Sequence, residues 1–316
     1  MKSELLEKLR CPVSRLPLRV DDGELVSEDG RHRYPIRNGI PRFVPESNYA
    51  DNFGMQWNHF SKTQLDSHSG HPISADRFWK ATGWQPEQIK DHWVLDVGCG
   101  AGRFAEVALS AGAKVVALDY SSAVDASCYA NLQHHPNLHV VQGDIYALPF
   151  APESFPFVYS LGVLQHTPDV AKAFAALPPM VAGGGGCAWT ITKNPSRACC
   201  YPSIGCAPLT RLLPKARLFS VLQTLVPVLL PVSRGLGAIP IVGKLLKRLV
   251  PVANYAGILP LNEQQLREAF LDTFDWLAPE YDQPQTAETV YRWMEQAGMQ
   301  QVEVLKAGHL VTRAGK

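Results

Sequence analysis

The chain has 316 residues, of which 46% are hydrophobic and 19% charged. That composition excludes a disordered or fibrous chain, and the length supports a full core without covalent staples. A net charge of +1 argues against a nucleic-acid partner. The seven cysteines, at 11, 99, 128, 187, 199, 200 and 206, are odd in number and irregularly spaced, which speaks against a disulfide framework and for a reducing cytosol.

The opening MKSELLEKLRCPV has acidic residues where a secretory signal needs an unbroken apolar stretch, so a cytoplasmic location is expected. Residues 1–48 read as a small β-rich module. Its strands are predicted at Leu16–Val20, Glu24–Ser27, Arg31–Ile36 and Ile40–Phe43, separated by DDG, EDG and RNG turns. Residues 49–90, rich in aromatics, His and Gln, are expected to form short helices and loops. From His92 onward, strand-length apolar runs alternate with helical stretches, which signals βαβ units and a parallel sheet. Strands are predicted at Trp93–Val97, Lys114–Asp119, His139–Asp144, Phe157–Leu161 and Cys187–Thr192, with helices at Arg103–Ser110, Ser122–Leu132 and Asp169–Leu177. The core spans 91–196 and resumes at 286–316 with a helix, Thr286–Ala297, and strands Gln301–Lys306 and His309–Arg313.

An insertion at 197–285 interrupts this pattern. Its portion 197–260 contains eight prolines and is predicted to form only short helices separated by turns. No run reaches the ~18 uncharged apolar residues of a bilayer-spanning helix. The longest attempt, 218–233, has 16 uncharged residues and includes Gln223, Thr224, Pro227 and Pro231, so a soluble or peripheral protein is expected. The 93 residues between Asp169 and Glu263 contain no acid but ten bases, leaving 20 basic against 29 acidic residues elsewhere. This asymmetry, joined to Leu/Val-rich stretches, suits an interfacial surface or a pocket for an apolar acceptor with an anionic head.

The chemistry centres on Val94-Leu95-Asp96-Val97-Gly98-Cys99-Gly100-Ala101-Gly102. A buried strand ends in a glycine turn that opens a helix, where backbone can approach a ligand closely. The spacing is G-x-G-x-G, not the G-x-G-x-x-G of a dinucleotide site, which disfavours a nicotinamide dehydrogenase. A carboxylate two residues before the first glycine would repel a pyrophosphate but suits a ligand bearing an ammonium and a sulfonium. Asp119 ends the next strand, where it can accept two ribose hydroxyls, and Asp144 ends the strand after that. The carboxyl ends of neighbouring parallel strands are where open α/β sheets bind ligands. Any one of the three acids alone would more often be a cap.

VLDVGCGAG, VVALDYS and GDIYALPF resemble the successive motifs of class I S-adenosylmethionine-dependent methyltransferases. FVYSLGVLQHTPD resembles the next strand and loop of their ubiquinone-methyltransferase-like branch. The resemblance implies a Rossmann-like, seven-stranded, mostly parallel sheet with its last strand antiparallel, and S-adenosylmethionine as cofactor with S-adenosylhomocysteine as product. It implies that Gly98, Cys99 and Gly100 meet the methionine moiety, with Asp96 near its ammonium. Asp119 would bind the ribose and Tyr120 would flank the adenine. Asp144 with the Ile145 amide would read the adenine edge, and Leu161 would lie under the methionine side. Pro156 and the Ala182–Gly186 turn depart from the family pattern without touching the expected cofactor.

The N-terminal module resembles a zinc-ribbon-like segment, but only Cys11 is kept; Ser14, Ser27 and Gly30 stand at the other ligand positions, and one cysteine cannot hold structural zinc. No metal is expected. His166, after the fourth core strand, is a candidate general base; Tyr49 and His59 are candidates for substrate contact, in a segment that in the resembled family often closes over the cofactor. Arg197, Arg211 and Arg217 are candidates to face an anionic acceptor in a cavity under 197–260, and peripheral membrane contact through the same segment is a further expectation. The expected function is methyl transfer to a small-molecule or lipid-like acceptor. The alternatives are a module that binds the cofactor without turnover and a methyltransferase acting on a macromolecule.

Overall fold

A computed structural model describes residues 1–45, 56–57, 59–193, 210, 213–257, 259, 262–278, 280–307 and 309–316. The chain divides into two units, Met1–Asn194 with Gln283–Lys316, and Pro195–Asp282.

The first unit holds two sheets. Strands β1 (Leu18–Asp21), β2 (Glu24–Ser27), β3 (Arg33–Arg37) and β4 (Ile40–Pro41) form an antiparallel ribbon in sequence order. Asp22-Gly23 and Asn38-Gly39 turn in left-handed conformations, with φ of 46° and 77°, and of 53° and 75°, the signature of tight hairpins. The main sheet comprises β5 (Trp93–Val97), β6 (Lys114–Asp119), β7 (Leu138–Gln142), β8 (Phe155–Leu161), β9 (Val181–Ile191), β10 (Gln300–Ala307) and β11 (His309–Gly315). Their order is β10-β11-β9-β8-β5-β6-β7. Strands β5 to β9 pair in parallel, and β11 is antiparallel to both β9 and β10. This is the expected Rossmann-like sheet.

The central strands carry apolar side chains on both faces because helices cover both. Leu95, Val97, Val116 and Val158 join one buried cluster, while Val94, Val115 and Ala117 join the other. The predicted helix over 122–132 is instead a π turn, Val124–Tyr129, running into Ala130–Leu132. The widened turn sets Ser127 and Cys128 beside the glycine turn described below.

Where the ribbon meets the sheet, Leu9 bridges Phe150, and the Arg15 guanidinium donates to Leu148 O at 2.9 Å. Buried Arg42 donates to both carboxylate oxygens of Asp125, at 2.5 and 2.6 Å, and to Gln142 Oε1 at 3.1 Å. Hydrogen bonds tie Cys11, Ser14 and Ser27 to their neighbours in the ribbon. The Ser14 amide donates to Cys11 Sγ at 3.3 Å, and the Tyr34 hydroxyl lies 3.1 Å from the same sulfur. Burial pushes the Cys11 thiol up, but those hydrogen bonds outweigh it and leave the thiol below its ordinary range. Ser27 Oγ donates to Asp29 Oδ1 at 2.6 Å and accepts from His32 N at 3.0 Å.

The second unit corrects the expectation of short helices over 197–260. Lys215–Gly237 is one helix of 23 residues with Pro227 and Pro231 inside it. Each proline removes the bond to the carbonyl four residues back. Spaced i, i+4, both lie on the solvent-exposed face, so the freed carbonyls of Gln223 and Pro227 reach water. The opposite face (Leu218, Leu222, Val226, Leu230 and Ser233) is buried. The helix Glu263–Leu277 packs nearby, with Phe219 edge-on to Phe270 and Phe274 at 4.9 and 5.5 Å. Among the described residues Lys215–Gly237 is the one helix long and apolar enough, by length and composition, to cross a membrane.

Candidate active site

Strand β5 delivers its last residues into a turn in which three glycines are left-handed, with φ of 87° at Gly98, 51° at Gly100 and 91° at Gly102. Space excludes side chains there as well. A Cβ on Gly98 would fall 2.4 Å from Val163 Cγ2, and one on Gly100 would fall 2.9 Å from Trp57 Cε2. The turn does not offer its first amides to a ligand. Gly98 N and Cys99 N both donate to Leu118 O, at 2.7 and 3.0 Å, and Gly100 N donates to Asp119 Oδ2 at 2.8 Å. Its contribution is close approach of bare backbone. The Cys99 thiol faces inward; the neighbouring Cys128 and burial push it well above its ordinary range.

Parallel register aligns the acids. Val97 pairs with Leu118 and Asp119 with Gln142, so Asp96, Asp119 and Asp144 reach the same edge of three adjacent strands. Asp96 is 2% exposed, and its Oδ2 has no hydrogen-bond partner. Burial pushes its carboxyl up to about 8, with the Asp119 charge adding and the Tyr159 hydroxyl, across the β5–β8 register, opposing. Asp119 is half-buried; besides Gly100 N it accepts from Ser121 N and Ser121 Oγ at 2.8 and 2.7 Å. Asp144 caps the 3-10 turn Ile145–Ala147, with Oδ1 accepting from Tyr146 N at 2.8 Å. The capping role that a lone acid would have is therefore present at Asp144, with its second oxygen available. Ile145 is buried, and Tyr120 is half-buried with its carbonyl held by Gln142 Nε2 at 3.1 Å.

Leu161 is buried at the end of β8, and the next residue, Gly162, donates its amide to Thr190 Oγ1 at 2.7 Å. His166 is half-buried on the 3-10 turn Leu164–His166 that follows. His59 is exposed, its ring edge-on to Phe60 at 4.7 Å. Arg217 is exposed on its helix. Tyr49, Arg197 and Arg211 lie outside the described residues.

Three residues escaped the sequence reading. Trp57, two positions from His59, is the side chain that lies against Gly100, and its carbonyl accepts from Ser127 Oγ at 2.9 Å. Arg77, on the helix Ile73–Thr82, brings its guanidinium to Gly162, where a Cβ would fall 3.4 Å from Nη2. Arg42 reaches Tyr120 through Gln142. None carries a local motif; each is defined by a contact tens of residues away. The helix after the glycine turn is tied to the same segment, with Arg103 donating to Gln64 Oε1 at 2.6 Å and Glu106 accepting from Asp66 N at 2.9 Å.

These groups fit S-adenosylmethionine. An orphaned buried carboxylate at Asp96 calls for a cation, and the Arg77 guanidinium lies at the β8 end, where a ligand carboxylate would meet a cation. Asp119 retains acceptor capacity for hydroxyls.

Residues 95–188 match a family described as Methyltransferase domain, and residues 2–39 one described as Trm112p-like protein. A ubiquinone biosynthesis O-methyltransferase of Saccharophagus degradans is 32% identical over 133 residues, covering 40% of this chain and 55% of that protein. One of the same description from Pseudomonas fluorescens Pf-5 is 35% identical over 126 residues, covering 39% and 53%. The chain thus spans about half the length of the curated relatives it matches. Among solved structures, a putative S-adenosyl-L-methionine-dependent methyltransferase of Methanococcus maripaludis is similar with a TM-score of 0.45 and 15% identity, over 86% of this chain and 96% of that one.

Proposed function

We propose that the chain is a class I S-adenosylmethionine-dependent methyltransferase that transfers a methyl group to a hydroxyl of a small, lipid-like acceptor, a reading supported by the match of residues 95–188 to a family described as Methyltransferase domain. The observation that carries the reading is Asp96, a buried carboxylate with an unpartnered oxygen behind the glycine turn, beside a second carboxylate positioned for hydroxyls.

When bound, S-adenosylmethionine supplies a methyl on a positively charged sulfur, open to in-line attack. The residues of this chain bind and orient. Asp96 pairs with the ammonium, Asp119 accepts the ribose hydroxyls, and Asp144 receives the adenine edge beside Tyr120. Leu161 and the backbone of Gly98 exclude water from the methionine side, which strengthens each electrostatic contact. His166, on the turn after β8, takes the proton of the attacking hydroxyl. The names of the relatives support oxygen as the accepting atom and a lipid-like acceptor.

The test is release of S-adenosylhomocysteine with a panel of prenylated phenols, alongside calorimetry of cofactor binding. Asp119→Ala should weaken S-adenosylmethionine by about 2–4 kcal/mol, because two hydroxyls lose a charged acceptor. Unchanged affinity would overturn the site. Tight binding of the cofactor with no turnover across the panel and a cell extract would favour a binding module.

A further inference from the structure

We propose that the π turn Val124–Tyr129 positions the side chain that lies over Gly100, and that Asp125 is the residue through which the ribbon holds that turn in register. This role presupposes S-adenosylmethionine at the glycine turn, as proposed above.

A π turn carries one residue more than an α turn, is rare, and concentrates at functional sites. Here Ala130 N reaches back five residues to Asp125 O. The stretch 122–132 contains neither proline nor glycine, so the cause of the widening lies outside it. Two contacts bracket it. On the ribbon side, the Arg42 guanidinium, 8% exposed, donates to both carboxylate oxygens of Asp125 and is itself fixed by Gln142 Oε1. On the other side, Cys128 and Leu132 close on the glycine turn, where a Cβ on Gly102 would fall 3.1 Å from Cys128 Sγ and 2.7 Å from Leu132 Cδ1. A buried guanidinium needs its carboxylate, so Asp125 cannot turn away from the ribbon without stranding Arg42.

Side chains between those two anchors grip the segment that follows the ribbon. Ser127 Oγ donates to Trp57 O at 2.9 Å, and Asn131 Nδ2 donates to Ser61 O at 2.8 Å and to Ala101 O at 3.1 Å. One amide thus joins the segment to the glycine turn itself. Trp57, held at its carbonyl, sets its indole against Gly100, with Cε2 2.9 Å from where a Cβ would stand. Reabsorbing the extra residue into an ordinary helix would swing the side chains after it by about 100° relative to Asp125, taking Asn131 off both carbonyls. With Asp125 fixed to Arg42, the widened turn is what lets one short element meet ribbon, segment and glycine turn together.

The test uses the full chain and calorimetry with S-adenosylhomocysteine, which needs no acceptor. Asp125→Ala and Ser127→Ala should each weaken binding roughly fivefold to tenfold, the worth of about one hydrogen bond. The double variant should lose no more than Asp125→Ala alone, because both act through the same turn. Asp125→Asn, which keeps one acceptor for Arg42, should recover part of the loss. Val290→Ala, at a buried position of the helix Ala287–Gln296, should lower the Tm at least as much while leaving affinity within about twofold. In the cofactor-free chain, amide exchange over 56–65 should speed up in Asp125→Ala and not in Val290→Ala. Ser127→Ala leaves Arg42 paired and reads the same role should Asp125→Ala fail to fold. Unchanged affinity in Asp125→Ala or Ser127→Ala, losses that add in the double variant, or an equal loss in Val290→Ala would overturn the proposal. A native chain that does not bind S-adenosylhomocysteine would overturn the function proposed above and this role with it. That result is distinct from failure of the role alone, in which the native chain binds and Asp125→Ala binds as tightly.

Discussion

Binding of S-adenosylmethionine should expel a proton from Asp96. In the cofactor-free chain the carboxyl titrates at about 8, raised by burial and by the Asp119 charge. At pH 7 about nine-tenths of the molecules then hold that proton. An ammonium seated against Asp96 favours the carboxylate, returning it toward ordinary acid behaviour, so close to one proton should leave per cofactor bound. Affinity should therefore rise about tenfold per pH unit between pH 5 and 7 and level off above 8. Calorimetry in two buffers of different ionisation heat counts the proton directly. Stability follows with the opposite sense. The folded pKa is raised above the unfolded one, so the contribution of Asp96 is full below about pH 4 and is lost as pH climbs through 8. The loss is on the order of 5 kcal/mol. Asp96→Asn, which keeps the shape of the protonated acid, should remove both effects, stabilising the free chain at pH 9 and weakening the cofactor. A native chain whose binding heat is the same in both buffers would refute the reasoning.

Arg42→Met should weaken the cofactor several-fold while preserving turnover at saturation, because Arg42 reaches Tyr120 only through Gln142; a kcat loss with unchanged KM for the cofactor would contradict that role. His166→Gln should cost roughly a hundredfold or more in kcat with a phenolic acceptor while the KM for the cofactor stays unchanged. A kcat within a few-fold of native would show that His166 only packs. Pro231→Ala should stabilise the second unit by up to about 3 kcal/mol in urea unfolding, since it restores one backbone bond within a helix that already forms around the ring.

The elements read most accurately from the sequence were those buried on both faces. Strands β5 and β6 are largely apolar runs with an acid at the last or next-to-last position, and Arg103–Ser110 lies between Gly102 and Gly112, so local pattern and tertiary environment agree. The alignment of Asp96, Asp119 and Asp144 was legible because parallel register carries strand ends to one edge. Their partners were not. That Leu118 O takes both Gly98 N and Cys99 N, that Trp57 lies against Gly100, and that Asp96 Oδ2 is orphaned are outcomes of packing between segments far apart in the chain. The helix Lys215–Gly237 was misjudged because proline was counted without its face. Two rings four residues apart sit on the solvent side, where water accepts what the backbone loses. The π turn at Val124–Tyr129 has no local signal that separates it from an ordinary helix.

The position of the ribbon bears on how this chain behaves in company. β7 is the outermost parallel strand, all five of its residues are buried, and it has no charge of its own to ward off another strand. The opposite border, β10, carries Glu303 and Lys306, both exposed. At β7 the task falls to the ribbon. Arg42 bridges Gln142 in parallel, Phe43 N donates to Gln142 O at 2.9 Å, and Lys2 Nζ donates to Leu138 O at 3.0 Å. A chain trimmed to begin at the first core strand would present an apolar, unpaired border to its neighbours and self-associate edge to edge. The ribbon covers that border from within the same polypeptide.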